Sequence, residues 1–339
     1  MTGRQFATRA LDAVLARGFD KARVVVTDSE HHELGAEFGH LNLLRTNHNT
    51  SVSLLGIVAD KQGSVSINKC TDDALTTAID DLWQVSQGAR PDPAHEIAEA
   101  QPTKEFSAGP SEPDQGAMVT RLQEFLDHCR TAYPTLRMGQ AIVSFTQRKS
   151  SFLNSNGVAF TSRRGNYHTS FMFTAKDGKD TSSFSYTGAT LSSLDAPLAS
   201  SGDADTLMRQ TTEQVRTRKG AKFVGDLILT PHCLDDFLGF LTGNIADPAM
   251  IAKTSIYYGK LGETVAAPGL NFASHPQDLI GGYFLTGDGY PAANTKLVDK
   301  GVLRSYLLSL YGARKLSLRG LTPQGAVVWS RPVMSHLRK

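Results

Sequence analysis

The chain has 339 residues, 40% of them hydrophobic and 20% charged, enough for two or three domains with a sizeable core and unlike the profile of a disordered chain. Lysine plus arginine number 35 against 33 aspartates and glutamates, a net charge of +2, so no whole-molecule field draws the protein onto a nucleic-acid backbone or an anionic membrane. No apolar run reaches the roughly 18 residues that span a bilayer, and Arg4, Arg9, Asp12 and Arg17 interrupt the region where a signal peptide would be apolar, so a cytoplasmic protein is expected. In chain order, Phe6, Ala10, Val14 and Leu15 share one face of a predicted helix, with Gly18 placed to cap its end. Residues 23–27 and 51–58 are β-branched and partly alternating. With a turn at 60–63 and the short run 64–67 they predict a hairpin in an antiparallel sheet. Thr71 or Asp72 can cap a second helix whose apolar face is Leu75, Ile79, Leu82 and Trp83. This makes residues 1–87 a first α+β unit.

Residues 88–116 hold five of the fourteen prolines and are expected to form a linker or long surface loop. A third helix is predicted on the stripe Met118, Leu122, Phe125, Leu126, Cys129 and Tyr133. Strands are predicted over 141–145, 151–153, 158–161, 167–174 and 181–186, with turns at 154–157 and 177–180. A fourth helix over 203–216 completes a middle α+β unit, residues 117–220. The last unit, 221–339, opens with a helix that Thr230 caps and Pro231 begins, its apolar face being Leu234, Phe237, Leu238 and Leu241. The remainder of the unit is glycine-punctuated and strand-like, including 302–308. The fold class expected is α+β, antiparallel sheets flanked by helices, in two N-terminal α/β units plus a β-rich C-terminal unit.

Three cysteines, Cys70, Cys129 and Cys233, lie far apart and lack the C-x-x-C spacing of a disulfide or zinc framework. Histidines concentrate at His31, His32 and His40, with His48 beyond. A zinc helix would need imidazoles one turn apart, and positions 36 and 37 are Ala36 and Glu37, so the stretch is read as exposed strand or loop. His95-Glu96 has no second histidine downstream. Cys233 stands at a helix start, which lowers a thiol pKa, but Asp235 and Asp236 oppose a thiolate there. Gly281, Gly282, Gly287 and Gly289 lack the strand-to-helix context of a nucleotide loop. The basic cluster Arg216, Arg218, Lys219 and Lys222 is of the kind that ends a helix.

The order of these units, the run 152–157 (Phe-Leu-Asn-Ser-Asn-Gly), Thr254-Ser255, the run 259–265 (Gly-Lys-Leu-Gly-Glu-Thr-Val), the run 296–303 (Lys-Leu-Val-Asp-Lys-Gly-Val-Leu) and Gly312-Ala313-Arg314-Lys315 together resemble the TldD/PmbA family. The resemblance implies a two-subunit assembly that cleaves unfolded peptides, in peptide maturation or antitoxin degradation. One partner, TldD-like, is a zinc peptidase, and the other, PmbA-like or TldE-like, lacks the metal. The catalytic branch carries His-Glu-x-x-x-His on the helix that here reads from Pro231, where His232 is the single histidine.

The chain therefore resembles the PmbA/TldE branch. It is expected to hold no catalytic residue, metal or cofactor of its own, with zinc in a TldD-like partner. That partner, or a second copy in a homodimer, and an extended peptide taken up at an exposed strand edge are the expected companions; no membrane or nucleic acid is expected. Lys260, Glu263 and Asp288 are the substrate-binding candidates among the family-like motifs. The alternatives are an autonomous peptidase with an unrecognised metal or thiol site, drawn from His31, His32, His40 or Cys233, and a DNA-gyrase-associated regulator, after the family's older name. Family members usually continue well past Gly312-Ala313-Arg314-Lys315, so the C-terminal unit is expected to be incomplete relative to the family and the lone chain to associate. Residues 321–339 are expected to be weakly ordered, or else 326–329 to serve as a substitute edge strand.

Overall fold

The computed structural model describes residues 2–217, 219–317 and 327–328. Helix α1 (Gly3–Ala16) starts at Thr2, whose hydroxyl accepts from the Gln5 N–H while the Gln5 side chain accepts from the Thr2 N–H, satisfying two of the amides that a helix start orphans. Strands β1 (Lys21–Glu37), β2 (His40–Val58) and β3 (Lys61–Ile67) run antiparallel. The β2–β3 turn is Ala59-Asp60, with φ of 48° and 59°, one step before the expected position. Two left-handed residues match the twist of the flanking strands, and they leave Val58 paired with Lys61. Gly63, expected in that turn, lies inside β3 under helix α2 (Asp72–Gly88). A Cβ there would stand 2.3 Å from Ser86 Oγ, so glycine sets how closely the helix approaches. Thr71 caps α2.

The proline-rich stretch 88–116 is packed rather than a free linker: Ala94, Ile97 and Ala98 are fully buried. It also contains strand β4 (Lys104–Ala108). Helix α3 (Gln115–Ala132), strands β5 (Leu136–Asn154) and β6 (Ala159–Asp177), and the shorter β7 (Asp180–Thr181) and β8 (Ser185–Leu191) come next. The sheet order is β3-β2-β1-β5-β6-β4, with β7 and β8 also on β6 and β4 parallel to it. Because β1 bonds β2 along one edge and β5 along the other, with Val24 opposite both Leu54 and Leu153, the two helix-bearing stretches share one sheet. Its helix-bearing face holds two apolar clusters. One joins α1 and α2 to Val24, Val26, Val52 and Leu54. The other joins α3 and helix α4 (Ala204–Glu213) to Leu34, Val143, Phe145, Phe171 and Phe173.

The third unit contains α5 (Pro231–Asn244), α6 (Asp247–Ala252), β9 (Phe272–Ser274), β10 (Thr295–Asp299), β11 (Val302–Leu303), β12 (Leu307–Leu308), α7 (Leu310–Ser317) and β13 (Val327–Val328). Ile245, Met250, Leu297, Val298, Leu303 and Leu308 centre its core. Of the expected apolar face of α5 only Leu241 reaches that core, while Leu234 and Phe237 stand exposed. The first turns of this helix have no element against them among the described residues, so its amphipathic pattern finds no floor there. The run 302–308 is divided by Arg304, Ser305 and Tyr306 into two short strands. Val327-Val328 pairs in parallel with Leu307-Leu308; the other expectations for 321–339 lie outside the described residues. Among the described residues no helix is long and apolar enough to cross a membrane.

Candidate functional site

Side chains alternate across a strand, and β1 uses both directions. Its even-numbered residues face the helices. Of its odd-numbered residues, Val25 joins Phe152 and Phe160 beneath Phe284, Leu285 and Tyr290 of the third unit. Farther along, the same face carries polar side chains, and no helix of the two helix-bearing stretches packs on it, although Gly281 of the third unit lies against Thr190 beside His168. There His31 Nδ1 lies 2.8 Å from Thr146 Oγ1 and His31 Nε2 lies 3.4 Å from the buried Glu33 carboxylate, which also accepts from Arg45 at 3.1 Å. His168 of β6 shares this face. Desolvation by neighbouring strands, then the like charge of His31, hold it below the usual histidine range.

His32 points the other way, with Nε2 2.5 Å from Glu30 and its ring tilted against Phe145. Adjacent histidines on one strand therefore cannot converge on a common metal. His40, next in the expected donor set, is exposed at the start of β2. Among the described residues no three His, Cys, Asp or Glu side chains are grouped so as to hold a metal ion.

The border of the bare face is set by Arg164 of β6. Its guanidinium lies 4.2 Å from the Phe284 ring and donates to the carbonyls of Leu279 and Ile280 at 3.0 and 2.8 Å. Deeper in the same junction, Arg23 of β1 donates to the Gly287 carbonyl at 2.6 Å; burial pulls its pKa down and the Asp288 charge pushes it back up. Asp288 accepts from the Leu310 N–H at 2.9 Å, so this substrate-binding candidate sits at the start of α7. Lys260 and Glu263 lie apart, in a turn that hydrogen-bonds alongside β11. Their backbone bonds run Lys260 to Tyr257 and Leu303 to Glu263, and among the described residues no side-chain bond joins the three candidates.

A second anchor ties the proline-rich stretch to α7. Asp92 accepts from Lys315 and from the Tyr311 hydroxyl at 2.9 Å, and His95 stacks on Tyr311. Burial opposes ionisation of Asp92, but the bonds from Lys315, Ala94 and Tyr311 outweigh it and hold the carboxyl down to about 2. A carboxylate depressed on folding stabilises above its unfolded value, and that stability is lost as pH falls through the folded one. Asp92→Asn is expected to cost about 1–3 kcal/mol at neutral pH by weakening a charge-assisted pair. It is also expected to flatten the loss of stability between about pH 4 and 2. Urea melts at both pH values check this, and an unchanged acid limb would refute it.

Residues 224–336 match the family described as PmbA/TldA metallopeptidase, C-terminal domain. A curated "Metalloprotease" from Methanothermobacter thermautotrophicus is 33% identical over 138 residues, 37% of this chain and 30% of that protein. "Metalloprotease PmbA" from Escherichia coli O157:H7 is 22% identical over 321 residues, 91% of this chain and 70% of that one. The crystal structure of TldE from Thermococcus kodakarensis superposes with a TM-score of 0.75 at 14% identity, over 97% of this chain and 74% of that one. The chain belongs to the TldD/PmbA family. It spans 30% of the first of these relatives and 70% of the second.

Within a TldD/PmbA chain the question at α5 is whether its donors fit zinc. A catalytic zinc takes three protein ligands and keeps one position open, and the family's catalytic branch supplies two of them as histidines on this helix. Here α5 carries His232 alone, beside an exposed Cys233 that accepts weakly from Thr230 Oγ1 at 3.6 Å. Asp235 and Asp236 stand exposed. The residues do not fit the paired-imidazole site.

The features that sequence reasoning missed are the bare face and its arginines. A signal for them exists: Arg148-Lys149 and Arg163-Arg164 are equidistant from the 154–157 turn, so a hairpin there must place them opposite one another.

Proposed function

We propose that this chain is the non-catalytic, PmbA/TldE-like subunit of a TldD/PmbA-type zinc metallopeptidase, pairing with a TldD-like chain that holds the metal and helping to bind extended, unfolded peptide. The observation that carries this reading is the composition of α5, with one imidazole where the catalytic branch has two flanking a glutamate. The TldE-like fold, with its long sheet left open on one side, supports it. A second reading, in which the chain is itself a peptidase, is favoured by the name metalloprotease borne by two relatives.

One preparation separates the two. The dialysed chain alone is expected to hold well under one zinc per chain and to leave an unfolded peptide uncut, while mixture with a TldD-like chain yields a complex that cuts it. Stoichiometric zinc that disappears with His232→Ala, or cutting by the chain alone that Cys233→Ala abolishes, would establish the second reading instead.

A further inference from the structure

Arg148 on β5 and Arg164 on β6 are direct cross-strand partners, and both belong to the face that the helices do not cover. Like charges directly opposite on a sheet are destabilising, and an isolated pair of this kind is ordinarily relieved by a carboxylate. Here neither arginine has an ion pair among the described residues. Arg148 is exposed, whereas the Nε and Nη2 atoms of Arg164 are buried without a hydrogen-bond partner. Desolvation is the one cause lowering the Arg164 pKa, which agrees with the absence of a compensating acid. Among the described residues of this stretch of the face the acidic side chain is Glu33, already committed to Arg45 and His31. The polar patch is thus a local cationic surface on a molecule whose total charge is nearly zero.

We propose that the bare face of the sheet, with the exposed Arg148 on it and Arg164 at its border, is a docking surface for acidic segments of an extended polypeptide. Charge complementarity selects that occupant. A carboxylate reaching the exposed Arg148 gains a charge-assisted contact that no acidic side chain among the described residues already makes with it. The arrangement deepens the function proposed above by naming the class of peptide, and it rests on the reading that the chain handles peptides.

The test is fluorescence anisotropy of the whole chain with three labelled peptides of equal length, rich in aspartate and glutamate, in serine and glycine, or in lysine. The acidic peptide is expected to bind at least about tenfold more tightly than the neutral one, a difference of about 1.4 kcal/mol. The advantage should vanish when salt rises from about 0.1 to 1 M and the screening length falls from about 10 to 3 Å. Arg148→Gln, on an exposed side chain, is expected to erase it, and Lys179→Gln at the distant β6–β7 turn to leave it intact. Equal affinity for acidic and neutral peptides overturns the proposal, as does an Arg148→Gln protein that keeps the preference. Competition by a single-stranded oligonucleotide as strong as by the acidic peptide also overturns it, since the surface would then be a general polyanion site. If the complex with a TldD-like chain cuts neutral peptide but shows no acidic preference, this proposal alone fails; if no cutting occurs, the assembly reading fails whatever the peptides do.

Discussion

Phe125→Ala is expected to lower the unfolding free energy by about 3–5 kcal/mol, the range for removing a phenylalanine ring from a core. Phe125 lies on the buried stripe of α3, is 2% exposed, and stacks on Phe171 of β6 with ring centroids 4.0 Å apart. Leu122, Phe145 and Phe173 enclose the pair, and close packing leaves little room for the cavity to collapse. The loss adds the missing transfer energy to the missing ring contact. Val119→Ala on the exposed side of the same helix is the control and should stay within about 0.5 kcal/mol. Denaturant midpoints with unchanged slopes measure both. A loss below about 1 kcal/mol at Phe125 would mean that the helix and the sheet do not share a rigid core.

That stripe shows what the sequence makes readable. Met118, Leu122, Phe125, Leu126 and Cys129 recur at helical spacing because one side of α3 is buried and the other wet, and all five are buried in the structure. The length of β1 and β2 is not readable in the same way. In the middle of the hairpin apolar residues are sparse, since one face is bare and the other is lined by Glu30, His32 and Thr46 before the core resumes at Leu34 and Ala36, so period-two alternation fades where the strands continue. Hydrogen bonds to β5 carry β1 through this region, and a partner more than a hundred residues away leaves no local trace. The same limit hid the bare face: Arg148 and Arg164 become neighbours only once the hairpin register is known. The family motifs are legible as strings, yet Lys260 and Glu263 share one turn while Asp288 serves another. α5 misleads in the opposite sense, because an amphipathic pattern records a face that can be buried, while burial depends on what is placed against it.

The second large effect lies where the third unit is closed. Asp247 at the start of α6 accepts from the Ser309 N–H at 3.0 Å and from the Ser309 hydroxyl, just before α7. A Cβ on Gly312 would come within 1.9 Å of its carboxylate, so glycine there is a condition of the contact. Asp247→Ala leaves the Ser309 donors without their acceptor and is expected to cost about 2–3 kcal/mol. Charge is a separate matter. Burial chiefly raises the Asp247 pKa, the Ser309 bonds lower it, and the nearby Asp288 raises it again, leaving a net upward shift. A carboxyl raised on folding contributes stability that is complete below its unfolded value and is lost as pH rises through the folded one. Once ionised, Asp247 therefore holds α7 against a penalty that an amide would not carry. Asp247→Asn keeps an acceptor for the Ser309 N–H and removes the repulsion from Asp288, so it is expected to stay within about 1 kcal/mol of the parent at pH 7. It should also fail to follow the parent's change in stability as pH rises above about 4, the unfolded value. Melts of the parent and the two variants at several pH values decide the matter. If asparagine proves as damaging as alanine at pH 7, the negative charge rather than the hydrogen bond holds the start of α7, and ionisation of Asp247 strengthens this junction instead of weakening it.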